Sequence, residues 1–527
     1  MKTIKLFDTT LRDGSQGEKI SFSVEDKLSI ARRLDEFGFH FIEGGWPGSN
    51  PKDADFFEKA QQVTFKNSKL VAFGSTRRAG VKPAEDNNLQ MLLKSETPAI
   101  SLFGKTWTLH ATIALGVSLE ENREMIWDSV SYLKGEGREI IYDAEHFFDG
   151  YKENPEYAIS TLKAAVEGGA DVIVLCDTNG GSLPHEVIEA TNYVKNVFDC
   201  EIGIHAHNDS ELAVANTLAA VQAGAEHVQG TINGFGERCG NTNLIPTIGN
   251  LQLKLGYRCV ADEKLPLLKD LSGYVFEMAN VATRDEAAFV GNSAFAHKGG
   301  IHVSAVMKDT RLYEHIQPEV VGNARRVLVS DLSGKSNVHY KMAELGLGES
   351  SNGDVRAVVD EIKELENQGY HFEAAEASFE LLVERRRENI PVFFNLSGFR
   401  VNVEKDASEK SRSEASIRVS VDGHIEHAAA EGDGPVNALD NAMRKALLRF
   451  YPEITLMKLV DYKVRVLTEG SSGTSARVRV LIESQAAEQR WTTIGVSENI
   501  IEASWKALVD SFSFFLFKKQ NANVQVN

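Results

Sequence analysis

The chain has 527 residues, too many for one ordinary domain, and 42% hydrophobic with 25% charged residues is a water-soluble globular composition. A net charge of −18 argues against a general nucleic-acid binder, and no apolar run reaches the length of a membrane span. Cys176, Cys200, Cys239 and Cys259 form no CxxC pair. Neither a disulfide framework nor a zinc knuckle is therefore indicated, and a reducing, cytoplasmic setting is expected. The N-terminus enters a strand directly, without the layout of a signal peptide.

The first 255 residues repeat one pattern. Apolar segments start near Ile4, Phe39, Leu70, Ala99, Glu139, Asp171, Ile202 and Glu226, with helical patterns between them. The period, roughly 30 residues, is that of one βαβ unit. Ser23 with Asp26, and Ser118 with Glu121, have the spacing of a capped helix start. Asn154-Pro155 places a cap before a first-turn proline, and Ser182 before Pro184 reads similarly. Gly38, Gly168-Gly169 and Gly224 mark helix ends.

Eight such units can close into a (β/α)8 barrel or form a doubly wound sheet. No GxGxxG follows the first strand, which counts against a dinucleotide-binding sheet. The polar residues favour the barrel. Asp8, Arg12 and Asp13 follow strand 1, Glu43 strand 2, and Ser75, Thr76 and Arg77 strand 3. Glu145 follows strand 5, Asp177 and Thr178 strand 6, His205 and His207 close strand 7, and Thr231 and Asn233 follow strand 8. These are carboxyl ends of strands, where a barrel carries its active site.

His205 and His207, two apart in an extended segment, project from one face. Asp13 arrives from strand 1, separated from strand 7 only by strand 8 in a closed barrel. Two imidazoles and a carboxylate suit a divalent ion that keeps open positions; Mn2+, Mg2+, Co2+ and Zn2+ all remain compatible. Arg12 could stabilise an oxyanion, or simply form a salt bridge with Glu43 or Glu145.

After about residue 270 the repeat stops. Residues 270 to 370 read as helices and loops, including His297-Lys298-Gly299-Gly300 and a helix from Gly353 to Gln368. Glu404 to Glu414 reads as a charged loop. From about Val392 two similar halves follow: strands, a glycine (Gly432, Gly495), then a helix ending in Lys-Ala-Leu at 445–447 and 506–508. The division expected is a barrel at 1–270, a helical linker subdomain at 271–390, and a duplicated α+β regulatory domain at 391–527.

Three motifs, Phe7-Asp8-Thr9-Thr10-Leu11-Arg12-Asp13-Gly14-Ser15-Gln16, His205-Ala206-His207-Asn208-Asp209 and Gly234-Phe235-Gly236-Glu237-Arg238-Cys239-Gly240-Asn241, resemble the signatures of the 2-isopropylmalate, homocitrate and citramalate synthase family. The stretches Ile42 to Pro51, Gly74 to Arg78 and Tyr142 to Gly150 resemble its longer citramalate-forming members. The resemblance implies a Claisen-type condensation of acetyl-CoA with pyruvate and water, giving (R)-citramalate and CoA in isoleucine biosynthesis. It implies that Asn241 joins Asp13, His205 and His207 around the metal, and that Gln16, Asp143 and Thr178 meet the keto acid. Catalysis would fall to Arg12, Glu145, His302 and Tyr313, the last two delivered by the partner of a homodimer. Asp143 departs from the apolar or aromatic residue of the shorter citramalate synthases. The C-terminal domain would bind isoleucine near Gly432–Pro435 and Gly495–Glu498, read as turns whose following helices offer free N–H groups to its carboxylate. His297 is read as structural and Cys239 as a small buried residue.

Three other readings stay open: a 2-isopropylmalate synthase, an acyl-CoA lyase on the same barrel, and a non-catalytic amino-acid sensor. Residues 270 to 527 weigh against the lyase, and intact Arg12, Asp13, His205 and His207 against the sensor.

Overall fold

A computed structural model describes residues 2–347, 352–405, 411–467 and 476–524. Eight parallel strands close into a barrel in sequence order: β1 (Lys5–Asp8), β2 (Phe41–Gly45), β3 (Lys69–Ser75), β4 (Ala99–Lys105), β5 (Glu139–Glu145), β6 (Val172–Asp177), β7 (Glu201–Ala206) and β8 (His227–Gly230). The ring closes between β8 and β1, where Lys5, Leu6, Phe7 and Asp8 run opposite His227, Val228, Gln229 and Gly230.

Alternation along each strand sorts the barrel into an inner and an outer core. Outward residues such as Leu6, Ile42, Leu102, Ile140, Ile173 and Ile204 pack under the surrounding helices. Inward, Phe7, Phe41, Val71, Ile141 and Val174 fill the lower barrel. Two residues further along, the inward positions become Glu43, Phe73, Asp143, Cys176, His205 and Gln229, so the interior turns from apolar to polar toward the carboxyl ends. Gly203 has a packing role here. A Cβ on it would stand 3.0 Å from the His227 ring, which fills the space a side chain would need.

The helix ends follow local chemistry. Ser23 and Asp26 form a reciprocal capping box, Ser118 accepts from the Glu121 N–H, and Asn154 caps the helix Pro155–Gly168. Gly38 and Gly169 adopt the left-handed conformation that ends their helices. Ser182 departs from its expected part. Its hydroxyl donates to Asp177, and Glu186 instead reaches back to the Leu183 N–H.

The chain divides into two compact units, Met1–Phe295 with Ile316–Ala324, and Ala296–His315 with Arg325–Asn527. In the second, helices Lys335–Glu344, Asn352–Asn367 and Glu376–Arg386 precede two three-stranded antiparallel sheets. The stretch 404–414 is mostly not a loop. Glu404 and Lys405 pair antiparallel with Arg412 and Ser411, and the second strand alternates buried and exposed residues from Ser413 on; 406–410 lie outside the described residues. The two halves repeat a close approach of helix to strand. A Cβ on Gly432 would lie 2.3 Å from the Ala438 nitrogen, and one on Gly495 would lie 2.0 Å from the Ala503 oxygen. Gly495 therefore sits inside the strand Gln489–Ser497 rather than in a turn. The second helix, Ile500–Val524, also runs well past Leu508, since Phe512, Phe514, Phe515 and Leu516 continue its buried stripe. Among the described residues no helix is long and apolar enough to cross a membrane.

Candidate active site

The carboxyl ends of the strands surround a cavity of about 320 Å³, lined among others by Arg12, Asp13, Gln16, Asp143, Glu145, Thr178, His205 and His207. Asp13, His205 and His207 are buried, and one potential ligand atom from each lies within 4.8 Å of the other two. His205 Nε2 is 3.3 Å from Asp13 Oδ2 and 3.4 Å from His207 Nε2. Asn241 comes from the loop after β8; its Nδ2 donates to Asp13 Oδ2 at 3.1 Å, while its buried Oδ1 has no partner.

That loop needs glycine. Gly234, Gly236 and Gly240 have φ of +70°, +153° and +92°, and a Cβ on Gly236 would fall 2.0 Å from Asn241 Oδ1. Arg238 straps the loop to its neighbours, donating to both oxygens of Asp209 and, at 2.8 Å, to the Thr178 carbonyl. Cys239 is exposed here rather than buried, because it lies at the loop's outer bend.

The donor set fits a divalent cation: one carboxylate and two imidazoles converge in a buried space, with the Asn241 amide nitrogen against Asp13 and His205. Their electrostatics agree. Burial would raise the Asp13 carboxyl, but Arg12, His205 and His207 outweigh it and hold it below its ordinary value. Burial, then His205, push His207 down to about 3, leaving a neutral ring with a lone pair to give.

Arg12 contacts Glu43, and its two terminal nitrogens donate to the two oxygens of Asp13 at 2.8 and 3.0 Å. Desolvation opposes its charge, but Asp13 and Glu43 more than offset that. Of the two carboxylates weighed for this salt bridge, the partner is Glu43; Glu145 instead contacts Lys105. Asp143 Oδ2 accepts from Ser101 at 2.6 Å and Oδ1 from Gln229 at 2.9 Å. Thr178 Oγ1 accepts from the His146 N–H at 2.9 Å, so its own hydrogen remains to be donated. His302 and Tyr313 belong to the second unit, where their rings stack with centroids 4.2 Å apart. His297 reaches Glu314, which also accepts both arms of Arg325.

Sequence reasoning missed two groups. Phe73 and Phe103 stack at 5.2 Å, and Trp46 meets both edge-on at 5.7 and 5.6 Å, making an aromatic wall on β2 to β4. The inward period continued from Phe41 and Val71 would have found Phe73. Gln229, which ties His205 to Asp143, lies two residues beyond inward-facing His227, the same signal.

The HMGL-like family model matches residues 3–267, the homocitrate synthase post-HMGL domain-like model residues 289–370, and the LeuA allosteric (dimerisation) domain model residues 373–516. The (R)-citramalate synthase of Geobacter sulfurreducens is 56% identical to this chain, and that of Aquifex aeolicus 54%, each comparison covering 99% of both chains. The 2-isopropylmalate synthase of Methanocaldococcus jannaschii is 31% identical over 98% of this chain and 95% of its own. Divalent metal use, transferase chemistry of the acetyl-CoA-condensing kind and a dimerisation domain are what this kinship carries. The chain belongs to the HMGL-like family, on the branch formed by the (R)-citramalate synthases.

Proposed function

We propose that this chain condenses acetyl-CoA with pyruvate and water to give (R)-citramalate and CoA. The observation that supports it best is one cavity in which Asp13, His205 and His207 converge beside the Arg12 guanidinium. A divalent ion held by those three residues, with Asn241 beside them, would supply Lewis-acid polarisation of the keto-acid carbonyl. Arg12 has five N–H groups, three of them engaged. The guanidinium lines the cavity, and its charge balances the developing alkoxide. Thr178 donates its hydroxyl hydrogen to the keto-acid carboxylate, and Gln16 closes the same side. Glu145 assists proton movement at the rim.

The methyl group of acetyl-CoA is a weak acid, so a base must meet it with the enolate stabilised. His302 and Tyr313 take this part, supplied by the partner subunit of a homodimer. The division into barrel, linker and regulatory domain at residues 270 and 390 fits these roles. The last 137 or so residues exceed what the chemistry needs. Feedback by isoleucine, in the cytoplasm, is their proposed purpose.

A panel of 2-oxo acids with acetyl-CoA, following free CoA with a thiol reagent, tests the reaction. Pyruvate should give the highest kcat/KM, and preference for 2-oxoisovalerate would move the chain to the isopropylmalate reaction. Calorimetry with isoleucine, leucine and valine tests the effector separately. Tight leucine binding without isoleucine binding overturns that part alone.

A further inference from the structure

We propose that Gln229, oriented by Asp143, is a positioning residue that fixes His205 in the tautomer whose Nε2 is free for the metal. Gln229 is fully buried in β8, between β7 and β1, with Asp143 across the barrel interior. One end of its amide lies 2.9 Å from Asp143 Oδ1, and the other lies 2.8 Å from His205 Nδ1. An amide presents two donors at nitrogen and an acceptor at oxygen, whereas a carboxylate only accepts. The nitrogen therefore faces Asp143, and Oε1 faces the histidine. Since Oε1 cannot donate, His205 Nδ1 must carry the hydrogen. In a neutral ring that leaves the lone pair on Nε2, the atom 3.1 Å from the Asn241 Nδ2 donor, 3.3 Å from Asp13 Oδ2 and 3.4 Å from His207 Nε2.

The chain is anchored at its far end. Ser101 Oγ donates to the second oxygen of Asp143 at 2.6 Å, which stops the carboxylate from turning. Ser101, Asp143, Gln229 and His205 stand on β4, β5, β8 and β7, all buried, so no solvent competes for these bonds. Gln229 is the one link that can convert an anion's acceptor into an acceptor at the histidine. A glutamine in this place fixes the ring without putting a second buried anion beside Asp143.

The inference rests on the reading of Asp13, His205 and His207 as metal ligands, and the test separates the two. Full-length, metal-stripped protein is titrated with Mn2+, with folding checked by circular dichroism. Gln229→Leu should bind Mn2+ about 10 to 100 times more weakly, the usual effect of losing a ligand's outer partner. Gln229→Glu/Asp143→Asn, which keeps an acceptor at Nδ1 and a donor–acceptor contact between the two side chains without a second buried anion, should stay close to wild type. Asp143→Leu should weaken binding too, and Gln229→Leu/Asp143→Leu should be no worse than Gln229→Leu, because both act through one bond. Unchanged affinity in folded Gln229→Leu, or additive losses in the double variant, overturns the proposal. Nitrogen-15 shifts of histidine-labelled, metal-free wild type decide it without any variant: Nδ1–H is required, and Nε2–H overturns it. A wild type that takes no Mn2+ would refute the metal site and leave the tautomer result standing.

Discussion

The guanidinium carbon of Arg12 lies 3.6 Å from the centroid of the Phe73 ring. With Glu43 and Asp13 at its edges, the group is held on its face and on two sides, and only its cavity side remains open. A planar fork can satisfy all three contacts at once, and an ammonium cannot. Arg12→Lys should fold and retain metal while losing about a hundredfold or more in kcat, the scale of a lost oxyanion donor. Steady-state CoA release checks this, and a loss below tenfold would make Arg12 structural.

Trp46 is fixed from two directions. Its indole N–H donates to Asn88 at 2.7 Å, and its backbone N–H to Asp53 at 2.9 Å, a carboxylate in contact with buried Lys27. A wall held this firmly should limit the side chain of the keto acid. Trp46→Leu should raise kcat/KM for 2-oxobutanoate relative to pyruvate by about 10-fold or more, since one methylene is worth ~1–3 kcal/mol. Paired measurements on both keto acids check the ratio.

His227 gives a prediction about pH. It is completely buried, packs against Phe7 and Phe41 at 5.2 and 5.5 Å, and neither ring nitrogen has a hydrogen-bond partner. Burial first, then Lys5, lower its pKa from 6.5 to about 3. A histidine depressed in this way takes up fewer protons folded than unfolded between those values. Its stability contribution is therefore complete above about pH 6.5 and is lost as pH falls toward 3. His227→Leu should narrow the difference between urea midpoints at pH 7.5 and pH 5. An unchanged difference would place the acid sensitivity elsewhere.

Assembly can be tested by complementation. Asp13→Asn and His302→Ala proteins should each be inactive. If His302 serves the neighbouring subunit, mixing them under exchange conditions should restore activity to the hybrid site that keeps both residues. Exchange verified by mass, with no activity regained, would mean that each chain completes its own site.

Much of this was legible in the chain because its signals are local. The eight strands start within two residues of the apolar segments that announce them, and Ser23-Asp26 states its own cap. Asp13, His205 and His207 could be joined because barrel closure puts β1 two strands from β7. What stayed hidden depends on partners far apart in sequence. Gln229 is an unremarked polar residue until Asp143, 86 positions earlier, orients its amide. Gly495 looked like a turn because a glycine's reason to exist, here the Ala503 carbonyl of a later helix, is not written beside it. The pairing of Asn395–Lys405 with Ser411–Val421 was hidden at 404–405 and 411–414 by exposed charged side chains, which resemble a loop when burial is unknown.

The placement of Asp13 and His205 has a further consequence. They stand on opposite sides of β8, so the pair spans the seam where the barrel's first and last strands meet to complete the ring. An ion that takes both as ligands acts as a clasp across that seam. It favours the closed ring over an opened one by RT ln(1 + [L]/Kd), about 2.7 kcal/mol at a hundred times Kd. Catalytic readiness and mechanical closure of the barrel would then be one equilibrium, and a metal-starved chain should begin to unravel at β1 and β8.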